Sequence, residues 1–166
     1  MASVTFKGNP LTLVGELVKV GDKAPSFTAL ANDLKPVSLA DLAGRPLVLT
    51  SVPSLDTAVC DLQAKRFNKE AAALGDVAVV VVSCDLPFAQ ARWCGATGST
   101  AIRTLSDHRD ATFGTAYGLL IKELRLLARS VIVIDATGTV RYVQLVEEMT
   151  HEPDYDDALA AVKAIA

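Results

Sequence analysis

Hydrophobic residues along the chain fall into short runs that alternate between strand and helix periodicity. Pro46 to Val52 and Val77 to Ser83 are almost continuously apolar, which is typical of strands buried on both faces of a sheet. Between them, Ala58 to Leu74 has the spacing of an amphipathic helix that stops at Gly75-Asp76. The pattern therefore predicts a strand, a helix and a second strand in the middle of the chain.

Shorter patterns flank this unit. An N-terminal β-hairpin is predicted from Val4 to Phe6 and from Leu11 to Leu13. The following segment, residues 15–45, is rich in turn signals and contains one predicted helical turn at Ser38–Gly44. The later predicted elements are a short helix Pro87–Cys94, a strand Thr104–Ser106, a helix Ala111–Tyr117, a hairpin of Ser130–Asp135 and Thr139–Val146, and a helix Pro153–Ile165 with Pro153 at its first position. This order predicts an α/β sandwich with a mixed sheet, the thioredoxin-like arrangement with an added N-terminal hairpin.

Length and composition narrow the class of protein. A chain of 166 residues, half of it hydrophobic, is expected to form one domain over residues 1–166. The net charge is −3 and no basic stripe is present, which argues against nucleic acid as a partner. No apolar run approaches the ~20 residues of a membrane span, and the N-terminus is too polar for a signal peptide, so we expect a cytoplasmic protein with no membrane contact.

The cysteines carry most of the visible chemistry. The chain has three, Cys60, Cys84 and Cys94, and no Cys-x-x-Cys pair. An odd number in a chain of this size does not fit a secreted disulfide framework. The thiols are therefore expected to be reactive, metal-binding or simply buried. The two histidines, His108 and His151, have no partner at ligand spacing, so no metal site is expected.

Cys60 has the most informative surroundings, because it falls in the first turn of the predicted helix, after Pro53 and Thr57. A thiol near a helix N-terminus is stabilised as the thiolate, which is the nucleophilic form. Thr57 is a good N-cap, and we expect its hydroxyl to accept the amide hydrogen of Cys60. The alternative is that Cys60 is a small buried hydrophobe, because it shares a helical face with Phe67, Ala71 and Leu74.

A helix terminus alone does not keep a thiol ionised. Holding a thiol mostly as thiolate at neutral pH requires roughly 3.4 kcal/mol, whereas a helix terminus supplies about 0.3–1 kcal/mol, or about 2 kcal/mol when partly buried. A cation must supply the rest. The candidates are Arg45, Lys65, Arg66, Arg92 and Arg129. Arg129 is favoured because it immediately precedes the apolar strand at Ser130 and could be presented to the end of a neighbouring strand.

The spacing of Pro53, Thr57 and Cys60 resembles the P-x-x-x-T-x-x-C signature of peroxiredoxins. Further segments resemble the thiol peroxidase (Tpx) subfamily of atypical two-cysteine peroxiredoxins. They are Phe6–Gly15, Asp85–Gln90, Arg92–Gly95, Leu105–Asp107, Leu126–Ser130 and Glu152–Tyr155. Because these matches extend from residue 6 to residue 155, the resemblance covers nearly the whole chain.

The resemblance implies a thioredoxin-like fold and a peroxidase that reduces hydrogen peroxide and alkyl hydroperoxides. Cys60 would be the peroxidatic cysteine and Cys94 the resolving cysteine. Thr57 and Arg129 would position and polarise the peroxide, and Pro53 would shield the pocket from water. Thioredoxin would be the reductant, the assembly would be a homodimer, and no metal or organic cofactor would be needed.

The two cysteines of that scheme are predicted to lie on different helices, 34 positions apart in the sequence. A disulfide requires Cα atoms within about 7 Å. We therefore predict that the first turn around Cys60 and the helix Pro87–Cys94 partly unfold in each cycle. Cys84, at the end of an apolar strand, is expected to be a buried structural thiol, with a resolving role as its alternative.

Two other functions remain open at this level. One is a thiol–disulfide exchange protein without peroxide turnover, against which the lack of Cys-x-x-Cys counts. The other is a thioredoxin-like redox sensor, which would not need Thr57 or Arg129, although both are present.

Overall fold

The computed structural model describes residues 2–166, which form eleven β-strands and four α-helices. The strands are β1 (Ser3–Phe6), β2 (Asn9–Val14), β3 (Thr28–Leu30), β4 (Pro36–Ser38), β5 (Leu47–Ser51), β6 (Ala78–Ser83), β7 (Arg103–Ser106), β8 (Leu120–Ile121), β9 (Leu126–Leu127), β10 (Ser130–Ile134) and β11 (Val140–Leu145). The helices are α1 (Ala58–Ala71), α2 (Pro87–Thr97), α3 (Thr112–Tyr117) and α4 (Tyr155–Ile165), and a short 3₁₀ helix covers Leu39–Leu42.

The larger sheet contains seven strands in the order β11-β10-β5-β6-β7-β3-β4. The strands β5, β6 and β7 are parallel to one another, and the outer strands pair antiparallel. The predicted mixed sheet and thioredoxin-like order are therefore confirmed. The central strand β6 is buried along its whole length, as its β-branched sequence predicts for a strand covered on both faces.

Helices cover both faces of this sheet. Successive side chains of a strand point to opposite faces, so Val48 packs on the side of α1 and α4, whereas Leu47 and Leu49 pack on the other side. Phe113 and Tyr117 of α3 belong to that second side. The carboxyl end of β5, from which the chain enters α1, thus lies between two packed layers.

The predicted N-terminal hairpin is confirmed and extends into a second, four-stranded sheet in the order β1-β2-β8-β9. The Thr5 amide donates to the Glu147 carbonyl at 2.6 Å, and the Met149 amide donates to the Thr5 carbonyl at 2.8 Å. These bonds hold the hairpin against the segment that follows β11.

Several boundaries differ from the prediction. The helix α1 ends at Ala71 rather than Leu74, because the Ala73 and Leu74 amides donate to carbonyls only three residues back and form turns. The helix α2 continues to Thr97, where Gly98 ends it in the left-handed conformation. The strands β3, β4, β8 and β9 were not predicted, and none of them is longer than three residues.

The start of α4 corrects one prediction. Asp154 is the N-cap, and its carboxylate accepts the Asp157 amide hydrogen at 2.9 Å. Pro153 therefore precedes the cap, and its assignment to the first helical position was wrong. No helix among residues 2–166 combines the length and the apolar character that a bilayer crossing requires.

Candidate active site

Cys60 is the third residue of α1 and lies on the buried face of that helix. Its exposed fraction is 0%, and it packs with Ala64 and Phe67 in the layer that also contains α4. The expected core periodicity is therefore present. This burial is compatible with a reactive thiol only if a polar partner reaches the sulfur, and one does.

Arg129 is that partner, and the sheet register explains why. Ser130 of β10 pairs with Ser51 of β5 in an antiparallel arrangement, so the residue before β10 lies beside the segment after β5. The Arg129 Nη2 donates to Cys60 Sγ at 3.4 Å. Of the cations considered in the sequence, Arg129 is the one that the structure brings to the sulfur.

Arg129 is only 2% exposed, so its hydrogen-bond partners within the protein determine the position of its guanidinium. The Nη1 donates to Gln63 Oε1 at 2.8 Å, and Nη2 donates to the Met149 carbonyl at 2.7 Å, with Nε 3.3 Å from the same oxygen. Besides Cys60, these acceptors are an amide and a carbonyl, and none is a carboxylate. The guanidinium is thus held in place by two neutral oxygens and lies against the Cys60 sulfur.

Gln63 was not identified from the sequence. It lies one helical turn after Cys60 and is fully buried, and its Nε2 donates to Thr50 Oγ1 at 2.6 Å. Its side chain therefore links β5 to the guanidinium. The available signal was a polar residue on the otherwise apolar face of α1. The contribution of Met149 comes from its backbone carbonyl, for which the side-chain pattern gives no signal.

Thr57 corrects another expectation. It is the N-cap of α1, but its hydroxyl makes no cap bond and instead donates to the Ser54 carbonyl at 3.1 Å. The predicted acceptance of the Cys60 amide hydrogen was therefore wrong. The reason is local, because a turn closes from the Ser54 carbonyl to the Thr57 amide and holds the hydroxyl beside the same oxygen.

Asp85 positions the loop that carries Thr57. Its carboxylate accepts from Ser54 Oγ at 2.7 Å, from the Leu55 amide at 2.8 Å and from Ser83 Oγ at 2.7 Å. Since Asp85 follows β6 and precedes α2, this carboxylate connects the loop before Cys60 to the start of the next helix. Sequence reasoning assigned no role to Asp85 in this site.

A cavity of about 360 Å³ opens beside this corner. Pro53, Thr57 and Arg129 line it, so three of the predicted site residues share one cavity. Most of the remaining lining is apolar. It comes from the N-terminal hairpin (Phe6), the start of α1 (Ala58 and Val59), the turn and strand around β9 (Leu124 and Leu126) and the segment after β11 (Met149). The polar side chains of the lining are those of Arg129, Thr57, Ser54 and Thr150, and the fully buried Cys60 is not among the lining residues.

Cys94 lies apart from this corner. It is a partly buried residue of α2, and its Sγ is 3.6 Å from Thr104 Oγ1 of β7. All three cysteines are free thiols in this structure. The fold therefore places Cys60 and Cys94 on different helices, as the sequence predicted.

Cys84 immediately follows β6 and is partly buried, whereas the sequence predicted a buried thiol. Burial, with a further contribution from the Asp107 carboxylate, raises the pKa of the Cys84 thiol to about 11. The protonated thiol that results at neutral pH is a poor nucleophile, which favours the structural interpretation over a resolving role. Among residues 2–166, no three His, Cys, Asp or Glu side chains are grouped so that they could hold a metal ion.

Comparison with known proteins places these observations in a family. Residues 19–159 match the Redoxin family. The chain is 58% identical over 165 residues to a thiol peroxidase from Bacillus subtilis (strain 168), with 99% of each chain covered. It is 60% identical over 164 residues to a thiol peroxidase from Halalkalibacterium halodurans, again with 99% of each chain covered.

Solved structures show the same relationship. A peroxiredoxin-like protein from Aquifex aeolicus superposes with a TM-score of 0.94 at 43% identity, covering 100% of this chain and 98% of the other. A thiol peroxidase from Chromobacterium violaceum gives a TM-score of 0.87 at 22% identity over 98% and 95% of the two chains, which shows a shared fold. The resemblance noted in the sequence is thereby confirmed. The chain belongs to the redoxin family and is a peroxiredoxin of the thiol peroxidase type.

Proposed function

We propose that this peroxiredoxin reduces hydrogen peroxide and alkyl hydroperoxides with Cys60 as the peroxidatic and Cys94 as the resolving cysteine. The observation that carries the proposal is the 3.4 Å contact between Arg129 Nη2 and Cys60 Sγ, with both groups almost completely buried. A guanidinium in a medium of low polarity stabilises an adjacent anion more strongly than it would in water. It therefore favours the thiolate of Cys60.

In the first step, the thiolate attacks one oxygen of the peroxide in line with the O–O bond. The S–O bond forms, the O–O bond breaks, and the leaving oxygen takes a proton to become an alcohol, or water when the substrate is hydrogen peroxide. Cys60 is oxidised to a sulfenic acid. Arg129, which contacts the sulfur, and Thr57 both line the cavity and would stabilise the charge that develops on the two oxygens, Thr57 after its hydroxyl turns from the Ser54 carbonyl to the peroxide.

Pro53 contributes shape rather than charge. It is buried at the end of the segment after β5 and forms part of the cavity wall. Excluding water there strengthens the electrostatic interaction between Arg129 and the reacting atoms.

In the second step, the Cys94 thiol attacks the Cys60 sulfenic acid, an S–S bond forms and one water is released. A dithiol then reduces this disulfide, returning two electrons and two protons. The subfamily implies that the dithiol belongs to thioredoxin, that the enzyme is a homodimer and that no metal or organic cofactor is needed. We further propose one domain over residues 1–166 and a cytoplasmic location.

Rapid mixing of the fully reduced protein with hydrogen peroxide tests the proposal. The wild-type protein should consume one equivalent of peroxide, and peptide mapping should find a Cys60–Cys94 bridge. Cys60→Ser should abolish turnover, while Cys94→Ser should consume one equivalent and accumulate sulfenic acid. Cys84→Ser is the matched control, because a thiol with a raised pKa stays protonated at neutral pH and takes no part in either step.

Three results would contradict the proposal. One is oxidation of the wild-type protein no faster than that of free cysteine. The second is a Cys60→Ser variant that retains more than about a tenth of wild-type turnover, since the loss of a catalytic nucleophile costs far more than that. The third is a bridge from Cys60 to Cys84 in the wild-type protein.

A further inference from the structure

The two helices that carry Cys60 and Cys94 are joined by a hydrogen bond next to both cysteines. The Trp93 indole Nε1 donates to Asp61 Oδ1 at 2.8 Å. Asp61 immediately follows Cys60 on α1, and Trp93 immediately precedes Cys94 on α2. One side-chain pair therefore connects the first turn of α1 to the middle of α2.

The Trp93 and Cys94 side chains point in different directions from α2. Adjacent residues of an α-helix point about 100° apart, because 3.6 residues complete a turn. Trp93 accordingly faces α1, whereas the Cys94 sulfur contacts Thr104 Oγ1 on β7 at 3.6 Å. In the folded protein, the Trp93 side chain therefore occupies the side of α2 toward α1.

The bond is well placed to hold the helices together. Trp93 is only 9% exposed and belongs to the same packed cluster as Cys60. Asp61 also pairs with Lys65 Nζ at 2.8 Å. Burial raises the pKa of Asp61, but the hydrogen bonds from Lys65 and Trp93 and the positive charge of Lys65 together outweigh burial, so the pKa is lowered. The indole thus donates to an ionised carboxylate, which gives a stronger bond than a neutral acceptor would.

We propose that Trp93 and Asp61 are positioning residues that form a latch between α1 and α2, and that this latch must open before the Cys60 sulfenic acid can react with Cys94. The inference rests on the proposed function, because it concerns the second step of that reaction. While the latch is closed, the Cys60 sulfenic acid cannot react with Cys94 and remains in the site. A second peroxide molecule can then oxidise it to a sulfinic acid, with water or alcohol as the other product. The latch therefore determines which fraction of the Cys60 sulfenic acid forms the disulfide and which fraction is overoxidised to sulfinic acid.

Trp93→Phe is the direct test, because it keeps an aromatic ring but removes the indole N–H. Disulfide formation should become about tenfold faster, as expected for the loss of one hydrogen bond to a charged group. Consumption of the first peroxide equivalent should keep its wild-type rate. Trp93 is the chain's single tryptophan, so both rates are measured by rapid quenching, alkylation and mass spectrometry rather than by fluorescence.

The ratio of sulfinic acid to disulfide distinguishes a latch from a general packing role of Trp93. At high peroxide, Trp93→Phe should yield a smaller ratio of sulfinic acid to disulfide than the wild-type protein. Lys65→Gln is the matched control, because it removes the other partner of Asp61 and leaves the indole bond in place. Its disulfide rate should stay within about twofold of wild type, since a half-exposed ion pair contributes little.

Two results overturn the latch. One is a rate of disulfide formation in Trp93→Phe within about twofold of the wild-type rate, because losing a hydrogen bond to a charged group should change that rate by more than twofold. The other is a parallel loss in the peroxide step, which would indicate general damage. Failure of the proposed function looks different, because the wild-type protein itself would then form no Cys60–Cys94 bridge. Alkylation of Cys94 in the reduced proteins tests the latch without any oxidation and should be faster in Trp93→Phe than in Lys65→Gln.

Discussion

At the scale of single residues, the site depends on how a buried cation is compensated. Arg129 donates to the Gln63 and Met149 oxygens, which are neutral, and to the Cys60 sulfur, and the proposed function requires that sulfur to carry the balancing charge. Gln63 fixes the guanidinium from one side and the Met149 carbonyl fixes it from the other. The geometry at Cys60 therefore depends on an amide one helical turn away.

Gln63→Met should expose this dependence. The substitution keeps the length of the side chain but removes the oxygen that accepts from Arg129 Nη1 at 2.8 Å. The guanidinium then loses one of the hydrogen-bond acceptors that hold it in place. The rate of the first peroxide step should therefore fall about tenfold, which is the effect of losing one hydrogen bond to a charged group. Stopped-flow measurement of peroxide consumption checks the rate. Equal rates for Gln63→Met and wild type would contradict this role.

At the scale of secondary-structure elements, long patterns were predictable and short ones were not. The predicted β5, α1 and β6 agree closely with the structure because each depends on hydrophobic periodicity over several residues. The strands β8 and β9 have two residues each and exist only through pairing with distant segments. The position of Arg129 near Cys60 was predictable because Arg129 adjoins a strand. The hydrogen bond from the Thr57 hydroxyl to the Ser54 carbonyl was not, because it depends on a turn geometry that sequence spacing does not encode.

Disulfide formation should change the helices α1 and α2 and leave the sheet intact. Cys60 and Cys94 lie on separate helices, and the Cys94 sulfur contacts β7. Hydrogen exchange of the oxidised protein should therefore be faster at the first turn of α1 and along α2 than in the reduced protein, while β5 and β6 stay protected. Mass spectrometry of peptides from both redox states checks this. Unchanged protection of both helices in the disulfide form would contradict the predicted local unfolding.

At the scale of the whole molecule, the N-terminal hairpin is coupled to the active site through Glu148. Its carboxylate accepts from the Gly8 amide at 2.8 Å and from the Thr150 amide at 2.9 Å. The next residue is Met149, whose carbonyl accepts from Arg129. A surface carboxylate thus connects the hairpin, the cavity wall and the guanidinium.

Glu148 should also make stability depend on pH. Hydrogen bonds from the Thr150 and Gly8 amides lower the pKa of Glu148 to about 2. Because the unfolded value is about 4.3, the ionised carboxylate stabilises the folded protein above that pH, and this contribution is lost as pH falls toward about 2. Urea unfolding should find Glu148→Gln less stable than wild type at pH 7, with the difference disappearing near pH 2. A difference that is constant from neutral to acid pH would contradict the assignment.

The central claim is that Arg129 activates Cys60 toward peroxide, and the rate of the first oxidation step in Arg129→Gln tests it most directly. Glutamine keeps a polar side chain but removes the charge, so the rate constant should fall about 100-fold or more, as on loss of a donor that stabilises a transition-state anion. Circular dichroism establishes that the variant is folded. A folded Arg129→Gln protein that reacts with hydrogen peroxide within about threefold of the wild-type rate would contradict the account.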